Sequence, residues 1–228
     1  MLSEALSFPR NDDDWVKTIA IGGVLSILSV FILPVFLVQG YFVRVLRAGV
    51  SGEQTPPKFD EWADLFTDGL MVFVISIAYV AIPSILALIG FAILGVGFAA
   101  GAQADSGGIM ASVGVLGLIF GLLVTVLFLL VAYTIPAAMA NFAAKDSLGA
   151  GFEFGTILSI ALTGDYLVAW LLAVGVSIVL GAVAGALMFV LVGIFVAFYV
   201  QMVVYYIYGR GYANAQAGTE PQTTAHTA

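Results

Sequence analysis

Four long stretches of this chain contain no ionisable side chain, and this absence restricts its possible folds more than any other feature. Residues 18–43, 70–100, 109–144 and 166–208 hold no Asp, Glu, Lys, Arg or His. A transmembrane helix needs about 20 consecutive apolar residues, and each stretch is longer than that. Soluble domains are about 25% charged, whereas this chain is 9% charged and 62% hydrophobic. We therefore predict an all-α integral membrane protein.

The predicted fold is a helical bundle with four full transmembrane spans plus a first segment that is re-entrant or kinked. One membrane-embedded domain, residues 18–212, lies between a polar cytoplasmic lead-in at 1–17 and a tail at 213–228. The tail is predicted to be disordered because small and polar residues dominate it. The apolar segments of the domain are predicted at 18–46, 70–100, 109–144, 166–183 and 186–208.

The first apolar run allows two topologies. A straight helix of its length would extend roughly 39 Å, which is enough for one crossing of a hydrocarbon core about 30 Å thick and too short for two. Pro34 and the pair Gln39-Gly40 interrupt the run. It is therefore either one kinked span or a re-entrant hairpin. The hairpin puts all seven Lys and Arg residues on one side, with both termini in the cytoplasm by the positive-inside rule, so the charges favour it.

Two amphipathic helices are predicted at the membrane surface, at 57–68 and, less clearly patterned, at 147–163. In the first, one face carries the predicted interfacial anchors Phe59, Trp62, Leu65 and Phe66. The opposite face carries Asp60, Glu61, Asp64 and Asp68. Such a helix lies flat, with its apolar side in the lipid and its carboxylates in water.

The net charge of −7 argues against a nucleic-acid partner, because phosphates require Lys and Arg. An acidic surface helix would also be repelled by anionic headgroups. At roughly 1 M salt the Debye length is about 3 Å and that repulsion largely disappears. We therefore predict a high-salt organism; the alternative is an acidic face that binds a basic partner.

Few residues could carry chemistry. The chain has no cysteine, and its one histidine, His226, lies near the end of the tail. Asp146, Glu153 and Asp165 are the only acid–base candidates near the interface, and nothing in the sequence pairs them. We predict that the protein is not an enzyme and has no catalytic residues, no cofactor and no metal site.

The polar residues inside the apolar runs are uncharged. Gln39, Asn141 and Gln201 are the candidates for interhelical hydrogen bonds or, alternatively, for a polar substrate path. Glycines spaced by four residues are predicted to be close-packing sites within the bundle. These pairs are Gly97/Gly101, Gly117/Gly121, Gly151/Gly155 and Gly181/Gly185.

Several motifs resemble a known family. They are Asp14–Lys17, Gly40–Arg47, Pro57–Trp62, Leu65-Phe66 and Gly209–Tyr212. In these the chain resembles a haloarchaeal multi-pass membrane protein family of unknown function (domain of unknown function 4013). It is more distantly similar to bacterial multi-pass families and to the membrane region of glycerophosphodiester phosphodiesterases. The resemblance implies a membrane protein of halophilic archaea and supplies no catalytic residues. The catalytic barrel of the phosphodiesterases is missing here, so we do not expect their activity.

Two functions remain after these exclusions. The first is a non-catalytic membrane scaffold or assembly partner in the cell membrane, with the lipid bilayer and another membrane protein or a second copy as its partners. The alternative is a permease or lipid-handling protein that moves a neutral or amphiphilic solute past Gln39, Asn141 and Gln201. A tightly packed interior favours the scaffold, and a continuous polar cavity favours the permease.

Overall fold

The computed structural model describes residues 1–219 and is helical almost throughout. No strand occurs in this range, so the predicted all-α fold is confirmed. The helices are α1 (Leu2–Ser7), α2 (Trp15–Ile27), α3 (Leu33–Ser51), α4 (Trp62–Gln103), α5 (Gly107–Lys145), α6 (Phe154–Ala161), α7 (Gly164–Ala186) and α8 (Val192–Thr219). Short 3-10 turns lie at Phe8–Arg10, Leu28–Phe31, Leu148–Phe152 and Met188–Val190.

The helices have the length and composition of membrane spans. Within the described residues, α3, α4, α5, α7 and α8 are each long and apolar enough to cross a bilayer. The N-terminal segments Leu2–Arg10 and Trp15–Phe31 pass the same test together but are bent by 88°. The fold is therefore that of a multi-pass membrane protein with five or six candidate spans.

The chain divides into two compact units. Unit 1 comprises Met1–Ile75 and the chain from Pro136 onward, and unit 2 comprises Ser76–Ile135. Unit 2 contains the parts of α4 and α5 on either side of the turn at 104–106. Most of its apolar side chains are exposed, which suits contact with lipid. Phe91 and Phe120 pack edge-to-face inside it, with ring centroids 5.2 Å apart.

The core of unit 1 is filled by aromatic side chains. Tyr41 stacks on Phe59 at 4.2 Å between ring centroids, and Phe8 stacks on Tyr206 at 4.1 Å. A buried tyrosine hydroxyl needs a hydrogen-bond partner. Tyr41 donates to the carbonyl of Pro57 at 3.1 Å, and Tyr206 donates to Glu4 at 2.8 Å. Residues 1–17, expected to be only a polar lead-in, thus supply part of this core.

Four glycines bring helix backbones together within unit 1. A Cβ at Gly40 would collide with the carbonyl of Leu65, and one at Gly69 would collide with the carbonyl of Phe36. Gly49 and Gly209 face each other in the same way where α3 crosses α8. None of these glycines belongs to the predicted pairs. That prediction was wrong for Gly121, Gly155, Gly181 and Gly185, which have open space within 4 Å of a Cβ.

The segment predicted as a surface helix differs from the prediction. Residues 57–61 are not helical, and from Trp62 the chain continues as one helix to Gln103. Side chains of α3 bind two carbonyls of this segment: Tyr41 binds that of Pro57, and Arg44 binds that of Lys58. These two carbonyls are thus satisfied outside a helix, whereas the carbonyl of Glu61 accepts the first backbone bonds of α4, from Asp64 and Leu65.

The four predicted anchors do not form one lipid-facing side. Trp62 is exposed and Leu65 is fully buried. Phe59 and Phe66 are half-buried, and Phe66 packs edge-to-face on Phe36 at 5.4 Å. At least three of the four therefore contact the protein.

Three other boundaries also differ. The predicted helix at 147–163 is divided into the 3-10 turn Leu148–Phe152 and α6. The last two apolar segments meet at residues 187–191, after the predicted division at 183–186. Residues 213–219, predicted to be disordered, continue α8. The rest of the predicted tail, including His226, lies outside the described residues.

Candidate functional site

The helices α2 and α3 form an antiparallel hairpin whose open end is polar. Asn11, just before α2, donates a hydrogen bond to the carbonyl of Gln54, just after α3, at 3.1 Å. Lys58 lies 3.6 Å from the carboxylate of Asp14. The chain therefore enters and leaves this hairpin at the same end, which is the arrangement that the re-entrant alternative requires.

Arg47 joins three segments of unit 1 at this end. Its guanidinium binds Asp68 of α4 at 2.7 and 3.2 Å, and Asp146, which follows α5, at 2.6 Å. Its Nε donates to the carbonyl of Ala143 at 3.2 Å. Asp68 is 8% exposed, so its charge is compensated mainly by this arginine. The geometry is the bidentate one that makes Arg–carboxylate pairs strong.

Arg44 lies one helical turn before Arg47 and fastens the segment between α3 and α4. It pairs with Asp60 and with Glu61, the latter at 3.1 Å. The arginine is largely buried, whereas both carboxylates are exposed. Arginine usually buries its aliphatic stem against the protein while its guanidinium group meets water and carboxylates.

A second polar group connects α5, α6 and α8. Buried Asn141 donates to the carbonyl of Ala150 at 2.7 Å and to Glu153 at 3.3 Å, and it accepts from the hydroxyl of Tyr212 at 2.7 Å. Lys145 binds the same carboxylate of Glu153. The hydrogen bonds from Lys145 and then Asn141 hold the pKa of Glu153 below its usual value.

We call this region the charged end of unit 1. It is held together by contacts among its members, including an approach of 3.7 Å between Arg210 and Glu4. Its ion-paired residues are Glu4, Asp12, Asp14, Arg44, Arg47, Lys58, Asp60, Glu61, Asp68, Lys145, Asp146, Glu153 and Arg210. Glu53 and Asp64 lie beside them.

Two open cavities lie at the charged end. One has a volume of about 490 Å³ and is lined by Arg44, Arg47, Glu53 and Glu61 among others. The second, about 380 Å³, shares both arginines and adds Asp64 and Asp68. Both guanidinium groups are already bound to carboxylates, so the walls offer little to an anion. Among residues 1–219 no cluster of His, Asp or Glu has the arrangement of a metal site.

The structure separates the three polar residues predicted inside the membrane. Asn141 is buried with its amide fully bonded, whereas Gln201 is exposed. The buried Oε1 of Gln39 accepts no hydrogen bond. No hydrogen bond between described residues links any two of these side chains, so they are not assembled into one polar path by direct contact.

Sequence reasoning missed the ionic cluster around Arg47. The sequence indicates Arg44 and Arg47 only as part of a family motif and of the charge asymmetry across the membrane, and it places Asp68 on the water-facing side of the predicted surface helix. The available signal was their position: two arginines one turn apart close one apolar run, and acidic residues open the next. Charges at such adjoining ends meet if consecutive helices are antiparallel.

Taken together, apolar helices and a charged end in unit 1 define a multi-pass integral membrane protein whose ionic groups serve contacts between helices. The chain belongs to the family described as protein of unknown function (DUF4013), whose sequence profile matches residues 24–189. This confirms the resemblance to domain of unknown function 4013, and the matched range contains the motifs Gly40–Arg47, Pro57–Trp62 and Leu65-Phe66. No curated protein and no solved structure matches the chain.

Proposed function

We propose that the protein is a non-catalytic scaffold of the cell membrane that presents the charged end of unit 1 to a partner in the cytoplasm. The observation that supports this most is the internal use of its chemical groups. Arg47 makes four hydrogen bonds within the protein. With four of its five N–H donors used in this way, the guanidinium holds helices in place and offers little to a substrate.

The packing of unit 1 supports the same proposal. Its interior is occupied by stacked rings such as Tyr41 with Phe59 and Phe42 with Tyr205. A carrier needs a cavity near the middle of its helices, whereas the two cavities of the charged end are open ones beside Arg44 and Arg47. The permease remains the second candidate because the buried Oε1 of Gln39 lacks a partner.

The partner surface is acidic. Glu53 and Asp64 line the cavities, are exposed, and form no ion pair with a described residue. A basic segment of another protein would complement these carboxylates. The charged end faces the cytoplasm in this proposal because it gathers lysines and arginines.

The proposal is tested by reversing the charge of Glu53 and Asp64. Glu53→Lys together with Asp64→Lys should abolish recovery of a stoichiometric partner after crosslinking in intact membranes, while the wild type retains it. The matched control is Asp105→Lys, in the turn of unit 2. Equal recovery from both variants, or solute flux in liposomes that depends on Gln39 without any partner, would contradict the scaffold.

We also propose that the protein works at high salt. With a net charge of −7 and exposed carboxylates at the charged end, self-repulsion is screened only at high ionic strength. The melting temperature in detergent should rise between about 0.1 and 1 M KCl. A melting temperature that falls over this range would exclude the proposal.

A further inference from the structure

The two hairpins of unit 1 share one backbone pattern. Each has a helix, a 3-10 turn, an apolar residue with positive φ, and a second helix. In the α2–α3 hairpin the positive-φ residue is Ile32, at 62°, and in the α7–α8 hairpin it is Leu191, at 57°. Positive φ is unfavourable for such side chains, so its recurrence at the same point of both hairpins is a specific similarity.

The two sequences share a few identical residues when Ile32 is placed opposite Leu191. Identical residues then occur before, within and after the turns, although most of the aligned positions differ. These identities are Ile19/Ile178, Gly22/Gly181, Val24/Val183, Leu28/Leu187, Phe36/Phe195 and Val45/Val204. Segments this rich in the same few apolar residues share about as many identities by chance, so the repeat is one of backbone structure, carried by the 3-10 turns and positive-φ residues.

The two hairpins lie side by side with their turns at the same level. Tyr41 approaches Met202 at 3.9 Å, and further along both helices a Cβ at Gly49 would lie 3.0 Å from the Cα of Gly209. The contacts advance in the same direction on α3 and α8, so these helices are parallel. Near the base of the second hairpin, Gly211 packs on Ala169. Both hairpins therefore open toward the charged end.

The turns are apolar and exposed. Val30 is 78% exposed and Phe189 is 95% exposed. Ser29 is the one polar side chain in residues 28–38, and its hydroxyl donates to the carbonyl of Leu25 at 3.0 Å; residues 187–193 contain none. The exposed side chains of both turns are mainly large apolar ones, and an apolar patch of this kind on a soluble surface would be a liability.

Backbone amides at the centre of both turns have partners within the turn. Ile32 donates to Ser29 at 3.1 Å, and Leu191 donates to Met188 at 3.1 Å. The amide of Gly193 also reaches back across its turn, to Leu187 at 3.0 Å. Non-helical backbone can lie at membrane depth only if its polar groups have partners. The 3-10 bonds fulfil this condition for these amides without water.

We infer that both turns are immersed in lipid acyl chains, so that unit 1 meets water only at its charged end. The helix lengths are compatible with this: α2 and its 3-10 turn extend roughly 27 Å, less than a hydrocarbon core of about 30 Å. Helix α7 extends roughly 34 Å, but it begins at Gly164 and the charged Asp165, and the headgroup layer that holds this start is about 5–7 Å thick. The partner of this surface is the acyl interior of the bilayer. The inference stands independently of the proposed scaffold function.

The absence of cysteine makes a direct test available. Val30→Cys and Phe189→Cys are each labelled with a nitroxide in phospholipid bilayers, and collisions with oxygen and with a water-soluble nickel chelate are compared. Leu118→Cys, on an exposed apolar position of α5, is the lipid control, and Glu53→Cys is the water control.

Both turn labels should give the oxygen-to-nickel ratio of Leu118→Cys, several-fold above that of Glu53→Cys. A ratio at either turn equal to that of Glu53→Cys overturns the inference, because that turn would then be in water. Unchanged helical circular dichroism shows that each labelled protein is folded. Cysteine at such exposed positions removes little packing, and Phe31→Cys and Val190→Cys repeat the measurement at neighbouring exposed sites.

Discussion

Both terminal nitrogens of Arg47 donate hydrogen bonds to the carboxylate of Asp68, at 2.7 and 3.2 Å, across the contact between α3 and α4. The carboxylate is 8% exposed, and the arginine also binds Asp146 and the carbonyl of Ala143. One side chain thereby connects α3, the beginning of α4 and the end of α5. Its removal affects three segments and leaves a buried negative charge.

We predict that Arg47→Met strongly destabilises the protein, because removing one partner of a buried pair costs about 3–5 kcal/mol. Lys58→Met is the matched control, since Lys58 is 57% exposed in its ion pairs and exposed pairs contribute about 0–1 kcal/mol. The measurement is thermal unfolding in detergent, followed by tryptophan fluorescence. Equal melting temperatures for the two variants would contradict the role of Arg47.

The double variant Arg47→Met/Asp68→Asn distinguishes the loss of the Arg47–Asp68 interaction from the cost of leaving Asp68 buried without a partner. Neutralising Asp68 removes the uncompensated charge, so the double variant should be more stable than Arg47→Met alone. Additive losses would mean that Arg47 acts through its other contacts.

The second prediction concerns the glycine contacts. Gly40→Ala should destabilise unit 1 by at least the roughly 1–3 kcal/mol typical of overpacking, because its Cβ meets a backbone carbonyl that cannot rotate away. Gly175→Ala is the control, since a Cβ there has open space within 4 Å. Alanine also favours the helix, so the control should be neutral or stabilising. A lower melting temperature for Gly175→Ala together with an unchanged one for Gly40→Ala would contradict the close backbone contact at Gly40.

These cases show which features the sequence predicts. Uninterrupted apolar runs are a property of local composition, and they predicted the all-α membrane fold. The spacing of Gly117/Gly121 or Gly181/Gly185 says only that the residues share a helix face. It does not say whether another backbone passes that face, which depends on tertiary packing. Gly40 and Gly49 make such contacts without any distinctive spacing.

The start of α4 and the repeat were missed for related reasons. Residues 57–61 have the periodicity of a helix, but Tyr41 and Arg44, which are distant in sequence, bind the carbonyls of Pro57 and Lys58. The repeated hairpins share few identities, and apolar substitutions hide them. Their common feature is a backbone conformation, at Ile32 and Leu191, that leaves no clear compositional signal. The internal use of Asn141 was among the predicted alternatives, whereas its partner Tyr212 was not.

The third prediction separates Asn141 from Gln201, two amides that the sequence presents as equals. Asn141→Leu leaves the hydroxyl of Tyr212 and the carbonyl of Ala150 without their described partner, at a cost of about 1–3 kcal/mol. Gln201→Leu, at an exposed position, should leave the melting temperature nearly unchanged. If both variants fold normally but abolish flux of a solute in liposomes, the permease is the better function.

The last prediction concerns acid stability at Glu153. Hydrogen bonds from Lys145 and Asn141 favour its ionised form and lower its pKa in the folded protein. The unfolded state therefore binds the proton more tightly, and this contribution to stability is present above the unfolded pKa. It is lost as the pH falls through the lowered folded pKa. Glu153→Gln should reduce the dependence of melting temperature on pH in this acidic window, whereas Glu53→Gln, at a carboxylate without an ion pair to a described residue, should preserve it. An unchanged pH profile in Glu153→Gln would show that the Lys145 and Asn141 contacts do not stabilise the ionised carboxylate.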